Sequence, residues 1–428
     1  MKYRLIYLVI DGVADSLDDP ITTLERAEKP GLDRFADMGV CGLMCTVECG
    51  IAPESDEAVI ALLGYDPHEV YTGRGPLEAL GVGVYIKEGY EVAFRANFAT
   101  VDPSTLRIID RRVGRKLETE EAHELAKALD GVELGLHGGY ARVIATVGHR
   151  AVVIIGSRTR RLSPMVSNND PAYVRKGLVS VAVEKPDHFV KEIVPLDESA
   201  ESKATAELAN LFFRIALEIL KDHPVNSRRV MRGLPPANAI LMRDAGGSLP
   251  KVTPLNIKYG FKFAVLAEMP VEVGIGRAFG AHITSLEPPT NNPAYDYERR
   301  LEATLKAIKD YDVVYVHLKG PDEPGHDGDF NLKKQKVEEI DKYFVQPLLD
   351  YADKYAVIIT ADHATPPTKR VHTGDPVPVV FYSPNITPDH VKGFTERECS
   401  KGSLGLIPHG WQLLPLILGK FLGCESAK

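Results

Sequence analysis

The chain has 428 residues, 44% of them apolar and 26% charged, with a formal net charge of −8. That length allows two or more domains, each burying its own core, and the composition is that of a soluble globular protein. The acidic balance excludes an extended nucleic-acid or anionic-membrane surface, so bound phosphate has to be held by a local cluster of cations.

The chain opens on "MKYRLIYLVIDG", with six uninterrupted apolar residues and no small-residue cleavage site. It reads as neither a signal peptide nor a membrane span, and the expected location is the cytoplasm. The run ends in Asp11-Gly12, and "PGLDRFADMG" has helical periodicity. Five cysteines, an odd number, fit a reducing compartment better than a disulfide framework. Cys41, Cys45 and Cys49 have strand character around them and no CxxC pair, so they read as ordinary buried or half-buried thiols rather than metal ligands.

"GIAPESDEAVIALLGYDP" places Ser55 at the start of a helix, where backbone N–H groups and the dipole favour a bound anion. The plainer reading is that Ser55 or Asp56 is only an N-cap. From about Tyr90 the pattern changes. "EVAFRANFATV" and "ARVIATVGHRAVVIIGS" read as adjacent strands, a long helix covers roughly Ser202 to Lys221, and "ANAILMRDAGG" is another strand. An α+β domain is therefore expected as an insertion, with the chain divided into residues 1–84, 85–250 and 251–428, the outer two forming one core. "VGIGRAFG" has its glycines one residue too far apart for a dinucleotide loop, and they read as close helix–sheet packing.

The last part alternates helices with short β-branched runs: "YERRLEATLKAIKD" before "DVVYVHL", "NLKKQKVEEIDKYFVQPLLDYADK" before "AVIITAD", then "PVPVVFYS". This is the plan of an α/β core with a mainly parallel sheet flanked by helices. Ligands of such sheets collect beyond the carboxyl ends of the strands. There stand Asp11, Asp322 with His326 four residues on, Asp362-His363, and His372 in an adjoining loop. Each alone has an ordinary explanation as a turn or cap residue. Three Asp and three His at one rim, with no lysine counted against them, would repel one another unless cations sat among them. Mixed oxygen and imidazole ligands suit Zn²⁺, Mn²⁺ or similar ions rather than Ca²⁺, and six are too many for one tetrahedral ion. Two ions in such a rim serve phosphoryl displacement, and metal coordination would lower the pKa of the Ser55 hydroxyl enough to make it a nucleophile.

"VIDG", "ESDEA" before "LLGYDP", "YTGRGPLEALGVG", "RANFATV", "DRRVGR", "GPDEPGHDGD", "TADHATP" and "HTGDPVP" together resemble the archaeal type of cofactor-independent phosphoglycerate mutase, in the alkaline phosphatase superfamily. The resemblance covers nearly the full length. It implies an alkaline-phosphatase-like core with two divalent ions (Mn²⁺, Zn²⁺, Co²⁺ or Mg²⁺), no need for 2,3-bisphosphoglycerate, and an inserted domain that binds the organic part of a small phosphorylated metabolite. Asp11, Ser55, Asp362 and His363 would hold one ion, and Asp322, His326 and His372 the other. Ser55 would be the catalytic nucleophile, interconverting 3-phosphoglycerate and 2-phosphoglycerate through a phosphoserine, as in glycolysis and gluconeogenesis. Bidentate guanidinium recognition makes Arg112, Arg142 and Arg243 the expected substrate residues, with Arg111 and Arg115 beside them and Lys319 facing the phosphate.

The sequence departs from the family pattern at Glu54 and Val59 around the nucleophile, at Ala172 after Asp170-Pro171, and at Asp244 after Arg243. These touch substrate identity rather than metal chemistry. They leave open a hydrolase or phosphotransferase of another phosphoester, and a non-catalytic metabolite-binding paralogue. No nucleic-acid or membrane partner is expected, and the oligomeric state is not written in the sequence.

Overall fold

The runs "RLIYLVI", "DVVYVHL" and "AVIITAD" form the centre of an eight-stranded sheet, and each is buried along its whole strand. In this computed structural model, which describes residues 3–183, 185–290 and 292–423, the chain separates into two compact units. The first comprises Met1–Val70, Lys251–Glu268 and Ile275–Lys428; the second comprises Tyr71–Pro250 and Met269–Gly274.

The first unit is a layered α/β structure. Its sheet runs His282–Ile283, Phe263–Leu266, Val313–Leu318, Leu5–Ile10, Ala356–Thr360, Val377–Tyr382, Val40–Met44, Gly405–Ile407. Val377–Tyr382 is antiparallel to both its neighbours, and every other pairing is parallel. β-branched, two-sided burial is what parallel strands require, and the helices Pro30–Met38 and Pro293–Ala307 pack against the sheet. Register then sets the site. Ile10 lies opposite Leu318 and Val9 opposite Thr360, so Asp11, Lys319 and Asp362 leave the sheet on one rim.

"VGIGRAFG" falls on the helix Pro270–Ala278. A Cβ on Gly276 would come within 2.8 Å of Ile283 Cδ1 and 3.2 Å of Val265 Cβ, so this glycine does allow a helix to lie close on the sheet. The expected single long helix from Asn331 onward is interrupted. Its α part ends at Ile340 and a wider π turn follows over Asp341–Val345, where the Asp341 carboxylate accepts the amides of Gly31 and Leu32 at the head of the helix Pro30–Met38.

The thiol reading of the cysteines is corrected. The strand stops at Met44, and the turn beyond it brings Cys45 and Cys49 to a Cα separation of 4.9 Å, bridged as a disulfide; Cys41 and Cys399 are buried free thiols. Strand character was over-extended by one turn. The cysteine count therefore no longer argues for a reducing compartment.

The second unit is α+β. Its central strand Glu91–Val101 pairs antiparallel with Ile108–Asp110, Ala239–Gly246 and Arg150–Ser157, and the last pairs with Gly139–Ala145. One face, with Phe94, Phe98, Val153 and Met242, joins Leu125 and Phe212 of the helices Thr119–Leu129 and Ala200–Lys221 in the main core. The opposite face, with Ala93, Val152 and Ile154, meets Ala79 of the helix Arg74–Gly81. Among the described residues no helix is long and apolar enough to cross a membrane.

Candidate metal centre

Three groups of potential ligands converge at the carboxyl-end rim of the first unit: Asp11, His317 and Asp362; Asp11, Asp322 and His363; and Asp322, His326 and His372. All six Asp and His residues expected from the sequence are thus brought together, and His317 joins them. Asp322 and His326 do not sit in an open loop. A short helix, Asp322–Asp327, begins where the strand Val313–Leu318 has ended, and the four-residue spacing puts both side chains on one helical face.

Three of the imidazoles are aimed from behind. His326 Nδ1 donates to the Arg370 carbonyl (3.1 Å), His372 Nδ1 to the Pro53 carbonyl (2.9 Å), and His363 Nδ1 lies 3.0 Å from Thr365 Oγ1. A carbonyl can only accept, so the first two rings carry their proton on Nδ1 when neutral and turn the Nε2 lone pair inward. That is how metal-binding histidines are held. His363 Nε2 is 3.3 Å from Asp11 Oδ1, from Asp362 Oδ2 and from Ser55 Oγ. In the other cluster Asp322 Oδ1 is 3.4 Å from His372 Nε2 and 3.5 Å from His326 Nε2, and the two Nε2 atoms are 3.1 Å apart. Ligands around one ion with bonds of about 2.0–2.2 Å are separated by roughly 3.0–3.5 Å. Asp11 Oδ1 and Asp362 Oδ2 are buried and accept no hydrogen bond of good geometry, whereas Asp362 Oδ1 takes the amides of Gly12 and His363. Buried acceptors at ligand–ligand spacing fit divalent cations.

The electrostatics agree. Burial raises the pKa of Asp11, but Lys319, His363 and His317 outweigh it and hold the carboxyl well below its usual range. Burial and Asp11 likewise push Asp322 up, and His372 and His363 bring it below the ordinary value. Burial lowers His372, yet its hydrogen bond to Asp322 and the nearby Glu54 charge raise it to about 10. Glu54, beside the nucleophile, therefore acts on the second cluster.

Ser55 is the first residue of the helix Ser55–Leu62, and Glu54 is its N-cap, forming a reciprocal capping box with Glu57. Neither Ser55 nor Asp56 is the cap, which leaves the Ser55 hydroxyl turned to His363. Lys319 pairs with Asp11 Oδ2 at 2.9 Å, so the rim does have a compensating lysine.

In the second unit, paired residues of neighbouring strands share a face. Arg95 pairs with Arg243 and with Val152; Val152 pairs with Ile144, two residues from Arg142; and Asn97, two from Arg95, pairs with Arg150. Arg95, Arg142, Arg150 and Arg243 therefore stand on one face. Arg243 lies 3.6 Å over the Tyr173 ring, and Arg111 forms a bidentate pair with Asp170. Arg112 lines a cavity of ≈ 500 Å³ with Asp110, Arg111, Gly114 and Arg115, in a loop whose Val113, Gly114 and Arg115 are all left-handed. Burial, together with Arg150, Arg112, Arg95 and Arg115, drives the His149 pKa down to about 3, a sign of concentrated positive charge.

Sequence reasoning missed His317, whose Nε2 is 3.3 Å from Asp362 Oδ2, because a histidine inside "VVYVHL" reads as strand interior. It also missed Arg95, although an arginine in the middle of "EVAFRANFATV" was a usable signal.

A mainly parallel sheet whose carboxyl-end rim gathers carboxylates, imidazoles and a serine hydroxyl is the layout of an α/β enzyme. The family model of 2,3-bisphosphoglycerate-independent phosphoglycerate mutase matches residues 36–226. A protein of that name from Aeropyrum pernix is 47% identical over 426 residues, covering 98% of this chain and 100% of the relative. Among solved structures, the cofactor-independent phosphoglycerate mutase of Thermoplasma acidophilum is similar at 30% identity and a TM-score of 0.61, covering 97% of this chain and 99% of that one. The PH0037 protein of Pyrococcus horikoshii has a TM-score of 0.76 at 27% identity, over 98% and 97%. The chain belongs to the 2,3-bisphosphoglycerate-independent phosphoglycerate mutase family and is an isomerase.

Proposed function

We propose that the protein interconverts 3-phosphoglycerate and 2-phosphoglycerate through a phosphoserine at Ser55. The observation that carries this reading is the Ser55 hydroxyl at the head of a helix, 3.3 Å from His363 Nε2 inside the Asp/His rim. Asp11, Asp362, His363 and Ser55 would hold one divalent ion, and Asp322, His326 and His372 the other. When bound, these ions supply Lewis-acid charge at the phosphoryl group and lower the pKa of the serine hydroxyl.

The chain's own residues do the rest. Ser55 gives up its proton as Oγ attacks phosphorus, the bond from phosphorus to the C3 oxygen breaks, and that oxygen takes up a proton in turn. Glycerate then turns, its C2 hydroxyl gives up its proton as the oxygen attacks the phosphoserine, and Ser55 Oγ leaves and is reprotonated. The helix N-terminus and Lys319 favour the negative charge in place. We assign the glycerate carboxylate to the arginines of the second unit, with Arg112 of the 110–115 loop and Arg142 and Arg243 of the arginine face as the recognition residues and Arg95 added to them. The second unit, Tyr71–Pro250 with Met269–Gly274, is the substrate domain in this reading and the first unit the ion-binding core, so the boundary expected after residue 84 falls after Val70. The substrate class sets the protein in the cytoplasm and in glycolysis or gluconeogenesis.

Ser55→Ala tests it. With saturating Mn²⁺, the variant should lose at least about 10³-fold in mutase rate while still binding two ions with the other ligands. Phosphate transfer within about tenfold of wild type, or free phosphate as the main product of the unaltered enzyme, would replace the mutase with a hydrolase using water as the nucleophile.

A further inference from the structure

The two halves of the rim share a single hydroxyl. Thr365 is fully buried, its Oγ1 donates to Asp322 Oδ1 at 2.8 Å, and the same oxygen is 3.0 Å from His363 Nδ1. A hydroxyl has one proton, and an ionised carboxylate can only accept. With that proton committed to Asp322, Thr365 must accept from His363, so His363 carries its proton on Nδ1. The Nε2 lone pair is then the one that faces Asp11, Asp362 and Ser55. One oxygen thus fixes the tautomer of a ligand in the first cluster and the position of the ligand atom central to the second. Asp322 Oδ1 is also the atom nearest His372 and His326.

Thr365 is itself held from several sides. Its amide donates to the Ala14 carbonyl (3.0 Å), and its carbonyl accepts from Lys333 Nζ (2.9 Å), a buried ammonium that also bonds Asp15 Oδ1 and the Ala14 carbonyl. Gly12 closes over the hydroxyl. Its φ of +59° is left-handed, and a Cβ there would come within 2.7 Å of Asp322 Oδ1 and 2.8 Å of Thr365 Oγ1. The Asp11-Gly12 turn therefore presses on the shared bond without blocking it. The backbone of Thr365 is thus fixed, and with it the place of the hydroxyl between His363 and Asp322.

We propose that Thr365 is a positioning residue shared by the two ion sites, its one hydroxyl orienting His363 in the first and Asp322 in the second. The inference rests on the two-ion reading above. It differs from a contribution to one site because the hydroxyl serves both ligands at once.

The test is ion binding, measured by Mn²⁺ calorimetry and elemental analysis, with turnover as a secondary readout. Thr365→Val keeps the shape and removes the hydroxyl; Thr365→Ser keeps the hydroxyl. In a His326→Ala background only the first site remains intact, and in a His363→Ala background only the second. Thr365→Val should weaken Mn²⁺ about ten- to a hundredfold in both backgrounds, and Thr365→Ser should restore each to within about threefold. Loss in only one background, loss in neither, or equal loss in the Ser variant would overturn the proposal. If Thr365→Val does not fold, as judged by circular dichroism of the metal-free protein, Thr365→Cys, a weak donor of similar size, is read by the same criteria. Wild-type protein that takes up no second ion would sink the two-ion reading instead, a result distinct from any of these.

Discussion

Ion binding at the second cluster should release a proton, and its strength should climb with pH. In the metal-free protein His372 is half-buried, which disfavours its cation, but Asp322 accepts from it and Glu54 adds negative charge, so its pKa stands at about 10. A metal ligand must be the neutral ring. At pH 7 an ion has to displace a proton held with a pKa of about 10, which weakens apparent affinity by about a thousandfold relative to pH 10. Affinity should rise about tenfold per pH unit between pH 7 and about 9. The sign for folding is the reverse. A raised imidazole pKa means the metal-free fold binds an extra proton between the ordinary histidine value and about 10, so this contribution to stability is present at neutral pH and lost as pH rises through about 10. Mn²⁺ titrations by calorimetry in two buffers of different ionisation enthalpy, at pH 7 and pH 8.5, count the proton directly, and His372→Ala should abolish its release. Fewer than about 0.3 protons released with the second ion at pH 7, with affinity flat over that interval, would refute the reasoning.

Two further outcomes follow from the second unit and from the turn beside the nucleophile. Replacing Arg112 or Arg243 by Lys keeps the charge but loses the planar fork, and for Arg243 the stack on Tyr173; mutase kcat/KM should fall about ten- to a hundredfold, or ~1.5 to 3 kcal/mol, while slow hydrolysis of p-nitrophenyl phosphate survives. Equal loss of both activities would move these arginines to the phosphoryl centre. Cys45→Ser opens the five-residue ring closed by the disulfide and should cost about 2 kcal/mol on the loop-entropy relation, read by denaturant unfolding; a thiol assay of the unreduced, unfolded wild type should find the Cys45–Cys49 pair blocked.

What the sequence made legible was whatever a local rule governs. Continuous apolar runs marked the buried strands, and the end of each run marked the rim, because in a parallel sheet every strand points its carboxyl end the same way. Asp11, Asp322 and Asp362 were readable for that reason. The sense of Val377–Tyr382 was not, since an antiparallel strand buried on both faces has the same apolar pattern as a parallel one. The helix at Asp322–Asp327 was hidden by Pro324 and Gly325, which read as loop, although proline within a first helical turn loses no internal hydrogen bond. The disulfide depended on chain reversal after Met44, and Thr365 on a contact across 43 positions to Asp322; neither has a periodicity to betray it.

The arginine face shows how far charge alone carries the substrate assignment. Glu78 is buried, which raises its pKa, but Arg74, Arg95 and Arg243 bring it below the ordinary value, and Arg74 Nε donates to it at 2.8 Å. Burial, then Arg243 and Arg74, lower Arg95 to about 10, so the face still holds more positive charge than Glu78 offsets. Asp244 adds a second carboxylate. Its φ of +57° is left-handed, a conformation that aspartate enters at less cost than a branched residue would. Its carboxylate lies 3.6 Å from Arg243 Nε. That charge is shared with Arg175, whose pKa burial lowers and Asp244 raises, and Arg175 also donates to the Ala245 carbonyl at 2.7 Å. Asp244 therefore redistributes positive charge over the face without emptying it, and a carboxylate substrate still meets a net cationic surface.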